Sequence, residues 1–383
     1  MKSIYVAFFL TLISASAFAS EPTAVDLFAD DAAQKGEAQL KEESDVTDTS
    51  KVQEKEGGIF SFFNFSFSDK KEEIDSNTQA ADSNAQASVQ ETYLEKLTRT
   101  AEEGNIESQL ALGYLYLYGE NGEKVDYPKA FQYYTMAAAQ EDIVALNNLG
   151  SLYFSGIGVK RDIDKSVALF EKASKLGNME SSVNLAFLFL SGKEVSKDSS
   201  RSMELFTRAA NQGSPIAQFM LGYAYYQGFV LKQNHTKAFS LIKQAADAGF
   251  DDAQYVTAIM YINGHGTTKN YGHAVKYLNR AVTQGNVVAM VELGNILAKG
   301  TIYPKNILKA HILFNIASSL GAIGAAEKRD SLEKSIKMQE LLQAHNEAEA
   351  FKEKPSKLTI YIRHTFGRNI RSYIDYSILG LKK

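Results

Sequence analysis

The stretch PIAQFMLGYAYYQGFVLKQNHTKAFSLIKQAADAG, residues 215–249, decides the fold. Pro215 suits the first turn of a helix, where an amide N–H has no intrahelical partner to lose. Ala217, Leu221, Gly222 and Tyr225 follow at helical spacing. Gly228 is placed to end that helix in the left-handed conformation. A polar loop, Lys232 to His235, leads to a second apolar stripe of Ala238, Leu241, Ile242, Ala245 and Ala246, closed by Gly249. The unit is a helix–turn–helix hairpin, with small residues at Ala217 and Gly222 that let a neighbouring helix approach closely. So small a hairpin cannot bury its own apolar face, and it needs stacked neighbours to do so.

Those neighbours are in the sequence. Gly113, Gly150, Ala186, Gly222, Ala258 and Gly294 fall into register at spacings of 37, 36, 36, 36 and 36 residues. Six positions after each comes a glycine: Gly119, Gly156, Gly192, Gly228, Gly264 and Gly300. Three positions after the step sits an aromatic in five copies: Tyr116, Tyr153, Phe189, Tyr225 and Tyr261. Ser108, Ala145, Ser181, Ala217, Ala253 and Ala289 keep the position five residues before the step small. Ala137, Ala173, Ala209, Ala245, Ala281 and Ala317 mark the second helix. Internal repetition at this period is the signature of a solenoid. The expected architecture is all-α: an α/α-solenoid of about six 36-residue copies with a degenerate C-terminal cap and a disordered N-terminal region.

The pattern A-x-x-x-L-G-x-x-Y-x-x-G, then K-A, then A-A-x-x-G, resembles the Sel1-like repeat (SLR) family, relatives of the tetratricopeptide repeats. Ala217 to Gly228 and Ala145 to Gly156 carry it position by position, and the resemblance covers residues 91–350. Gly321, Ala325 and Ala326, then Leu332, Met338 and Gln339, resemble the family's degenerate ending. Ala186 in copy three and Leu297 in copy six depart from the pattern, which touches local packing only. The resemblance implies a protein-binding scaffold whose first helices line a concave groove, with relatives in bacterial envelope signalling and host interaction.

The flanks differ from the repeats. Residues 1–19 read as a secretory signal peptide, with Lys2, an apolar core from Ile4 to Ile13, and an Ala17-Phe18-Ala19 cleavage site. The expected location is therefore periplasmic or secreted. The chain has no Cys for a lipid anchor or a disulfide. Residues 20–90 hold 16 acids against 6 bases and read as a disordered linker. Within it, 59–67 is Phe-rich with strand-like alternation at Phe63, Phe65 and Phe67. It is either a sticky linker patch or a docking motif. Residues 351–383, with 8 bases and 2 acids, form a basic tail after Pro355. Ile370, Tyr373, Ile374 and Ile378 share one helical face there. A polar end cap is the expected role, and contact with an anionic membrane is the alternative.

No catalytic, cofactor or metal motif stands out. The His residues lack metal-ligand spacing, and His265 with His273 brackets a loop of copy five. Glu102-Glu103 and Asp251-Asp252 read as acids beside helix starts, where they complement the helix dipole. Near-neutral net charge argues against a nucleic-acid partner. What remains is a surface. Asn147, Phe187, Phe219, Tyr223, Tyr226, Tyr255 and Asn295 are the first-helix residues expected to contact a partner protein or peptide. A cell-wall binder or hydrolase is the other functional class, and the chain is read as not an enzyme.

Overall fold

A computed structural model describes residues 92–119 and 124–365, and among these there are sixteen helices and no strand. The signal-like segment, the Phe-rich stretch 59–67 and the face containing Ile370 to Ile378 lie outside the described residues. Helix α1 (Tyr93–Glu102) precedes six hairpins. These are α2 (Ile106–Tyr118) with α3 (Tyr127–Ala139), and α4 (Ile143–Ser155) with α5 (Ile163–Lys175). Next come α6 (Met179–Ser191) with α7 (Ser199–Asn211), and α8 (Pro215–Gln227) with α9 (His235–Asp247). The last two are α10 (Asp251–Asn263) with α11 (Tyr271–Thr283), and α12 (Val287–Lys299) with α13 (Ile307–Ser319). Then α14 (Ala325–Glu333), α15 (Met338–Glu349) and α16 (Lys357–Thr365) close the described chain.

Repeated side chains set the helix boundaries. Asn, Asp or Ser stands before each of α2 to α9 and α11 to α13, and its side-chain oxygen accepts the backbone N–H three residues on. The first helix of every hairpin ends at a left-handed glycine, from Gly119 to Gly300. The register aromatics hold the turn that follows. The carbonyls of Tyr116, Tyr153, Phe189, Tyr225 and Tyr261, and of Leu297 in their place in copy six, each accept the N–H of the next helix's cap residue. Leu297 does this as well as an aromatic because the bond uses only its backbone.

The first helices are largely apolar and lie between neighbours, whereas the second helices α5, α7, α9 and α11 are amphipathic and keep a polar outer face. Close approach is built in at the Gly step. A Cβ on Gly222 would lie 2.7 Å from Ile242 Cγ1 and 3.1 Å from the Ala238 carbonyl oxygen. Between repeats, Gln140, Gln212 and Gln284 each donate an Nε2–H to the carbonyl of a loop glycine one repeat earlier: Gly104, Gly177 and Gly249. The apolar interior forms two clusters, one in copies one and two and a larger one from copy three to the C-terminal helices.

Two expectations need correction. Glu102 and Glu103 close α1 rather than opening a helix, and Glu103 pairs with Arg99 at 2.9 Å. The described residues after Pro355, 356–365, do not extend the stack as an end cap. They turn back, and Leu358 and Ile362 are buried in the larger cluster. Among the described residues, no helix is long and apolar enough to cross a membrane.

Candidate partner-binding face

The first helices α2, α4, α6, α8, α10 and α12 carry the candidate face. Its clearest probe is the residue just after the Gly/Ala step: Tyr114, Ser151, Phe187, Tyr223, Ile259 and Asn295. It is half-buried in copies one, two, three and six. In copies four and five it is buried, with Tyr223 7 % and Ile259 2 % exposed. The position four residues earlier follows a similar gradient, from half-buried Leu110 to Phe219 and Tyr255, which are 0 % and 1 % exposed.

The expected contact residues therefore separate. Phe187 is half-buried and meets Phe206 edge-on at 5.2 Å. Asn295 is half-buried, and its Oδ1 accepts from Lys328 Nζ at 2.7 Å. Asn147 is buried, and its Oδ1 accepts from Ser181 Oγ at 2.8 Å and Asn184 Nδ2 at 3.3 Å, tying copy two to copy three. Phe219 packs edge-on against Phe250 at 5.0 Å. Tyr226 is buried, and its hydroxyl lies 2.6 Å from His265 Nδ1. Tyr255 is buried deeply enough that its hydroxyl is held well above the usual phenol range. In this conformation Phe219, Tyr223, Tyr226 and Tyr255 fill the stack rather than line an open surface.

His265 reaches Tyr226 because Gly266, in the left-handed region, allows the loop to lie against the His235 carbonyl. His265 and His235 stack at 5.4 Å, and burial holds His265 below the usual imidazole range. His273 instead stacks on Tyr261 at 5.1 Å, so the two His of this loop serve different partners.

The returning C-terminal segment meets the face at α10. Phe250 occupies the cap position filled by Asn, Asp or Ser elsewhere and makes no side-chain cap. The Asp251 N–H donates instead to Thr359 Oγ1 at 3.3 Å, from 108 residues away. Ser356 Oγ donates to the Gly249 carbonyl at 2.8 Å, and Thr359 Oγ1 donates to Gln284 Oε1 at 2.7 Å. Arg363 pairs with Asp251 at 3.1 Å and Glu353 at 3.2 Å. Asn286 Nδ2 donates to both Asp251 and Asp252, at 3.2 and 2.8 Å. Sequence reasoning missed this clamp. The one signal available was Phe250 standing where a cap belongs.

This architecture defines the class: an α/α-solenoid of stacked helical hairpins. The Sel1 repeat model matches residues 106–142, 143–178, 180–214, 215–250, 251–286 and 287–321, more than half of the chain. The chain belongs to the Sel1 repeat family, whose repeats mediate protein–protein interaction. It is similar to a Sel1 repeat protein from Oxalobacter formigenes, 28 % identical with a TM-score of 0.52, over 59 % of this chain and 99 % of that one. It also resembles an SLR-fold protective antigen of uropathogenic Escherichia coli, 23 % identical with a TM-score of 0.48, over 70 % of this chain and 66 % of that one. A 52-residue match, 50 % identical, links it to the ERAD-associated E3 ubiquitin-protein ligase component HRD3B of Arabidopsis thaliana, covering 14 % of this chain and 9 % of that protein.

Proposed function

We propose that this chain is a non-enzymatic scaffold of the bacterial cell envelope that holds an extended segment of a partner protein along the first helices of copies one to three. The observation that carries this reading is the half-buried series Tyr114, Ser151 and Phe187 at a position that copies four and five bury. Tyr and Phe with one face accessible offer contact area at little cost in side-chain entropy. The envelope location rests on Lys2, the apolar run Ile4 to Ile13 and the Ala17-Phe18-Ala19 site.

Purified wild-type chain is expected to capture a discrete envelope protein, and Phe187→Ala and Tyr114→Ala to reduce that capture while lowering Tm much less than Phe219→Ala does. Capture by both variants at the wild-type level would place recognition elsewhere. Cell fractionation tests the location, and recovery in the cytoplasm with an intact N-terminus would contradict it.

A further inference from the structure

Helices α13, α14 and α15 bring together His311, Glu333 and His345, which no sequence motif links. One ligand atom from each lies within 4.8 Å of the others. The His311 Nε2 and Glu333 Oε1 atoms are 3.3 Å apart. Zinc bonds of about 2.0–2.1 Å at tetrahedral angles put neighbouring donors about 3.3–3.4 Å apart, so this pair already has the spacing of two ligands. The His345 ring centroid lies 5.5 Å from that of His311, and completing a third corner needs at most about 1.5 Å of side-chain adjustment.

The site is half built into the core. His311 is 0 % exposed, and its Nδ1 has no hydrogen-bond partner among the described residues. Glu333 and His345 are only partly buried, which leaves a route in from solvent. The neighbouring guanidinium of Arg329 pairs with Glu333 only at the long end of ion-pair range. Its short contacts go to Asp330, at 2.7 Å, and to Asn315 Oδ1, at 3.1 Å, while Glu333 stands 3.9 Å away.

We infer that His311, Glu333 and His345 form a binding site for a divalent transition-metal ion of the zinc class, joining the last repeat to the two helices that follow it. Two imidazoles and one carboxylate suit zinc and its neighbours better than calcium or magnesium, which favour all-oxygen sets. A water completes the fourth position. Because α14 and α15 otherwise bury little (Ala325 and Ala344 are their only buried side chains), the ion would fix them to α13.

The test titrates Co2+, and separately Zn2+, into the metal-free full-length chain, reading visible absorption and Tm. One equivalent of Co2+ with tetrahedral-type absorption, and a Tm rise reversed by chelator, are expected. Losing a hydrogen-bonded outer partner of a metal ligand costs about 10–100-fold in affinity, so losing a ligand should cost at least about tenfold. Glu333→Gln and His345→Ala should each show that loss while keeping the wild-type helical signal, since neither side chain is fully buried. His273→Ala should bind as wild type does. Absence of saturable binding, or equal affinity in wild type, Glu333→Gln and His345→Ala, would overturn the site.

Discussion

Copies one to three and copies four to five are built on one pattern, yet they present it differently. In the first group the residue after the step is half-buried, and the first helices alternate buried with part-exposed positions. In the second group α8 and α10 are buried almost throughout, and a segment more than 100 residues away supplies the missing cap at Asp251. A solenoid's nearest-neighbour energetics allow this, because each copy answers only to the groups that pack on it. Regular stacking thus leaves these first-helix positions part-exposed in one region and buries them in the other.

Substitutions at matched positions sharpen the contrast. Phe219→Ala removes a fully buried ring, and a loss of about 3–5 kcal/mol is expected in chemical denaturation. Phe187→Ala, one face open, should cost well under half of that. Equal losses would mean that copies three and four are packed alike. Arg363→Ala leaves the buried Asp251 without its guanidinium. The expected loss is about 3 kcal/mol, the low end for a broken buried pair because Arg363 is itself about one-third exposed.

Thr359→Val deletes the borrowed cap with little change of volume, and about 1 kcal/mol is expected. Hydrogen exchange should localise the effect: the first-turn amides of α10 speed up, while those of α12, capped by Asn286, do not. Uniform acceleration in both helices would show that the segment acts on the whole stack.

The smallest effect concerns His265. Its folded pKa is depressed, chiefly by burial and then by the His235 and Lys269 charges, so near and below the ordinary imidazole pKa of about 6.5 the unfolded chain binds more protons. Stability then rises with pH through that window, and His265's contribution falls as pH drops. The stability difference between wild type and His265→Asn should shrink from pH 7.5 to pH 5.5, values of about one unit on either side of the ordinary pKa. A difference independent of pH would refute this.

The repeat frame was legible because each of its devices is local. A left-handed glycine, a capping Asn or Asp and a small residue at the step each act within a few positions, so they recur in the sequence as they do in space. The residues that distinguish the copies were not legible. Tyr223 and Phe187 occupy the same register position, and which one is covered depends on packing beyond the repeat. The same limit applies to Thr359 on Asp251 and to His311 with Glu333 and His345, where the chain closes long loops that no periodicity marks. Sequence reading placed an aromatic stripe on copies three to five. The structure shows that most of it, from Phe219 to Tyr255, is interior.

The central claim is that partner recognition belongs to the open copies, and a photo-cross-linking scan tests it most directly. A photoreactive side chain is placed in turn at positions 114, 151, 187, 223, 259 and 295 in cells. A discrete cross-linked product is expected from 114, 151 and 187 and none from 223 or 259. A product from 223 and 259 but not from 187 would contradict the account.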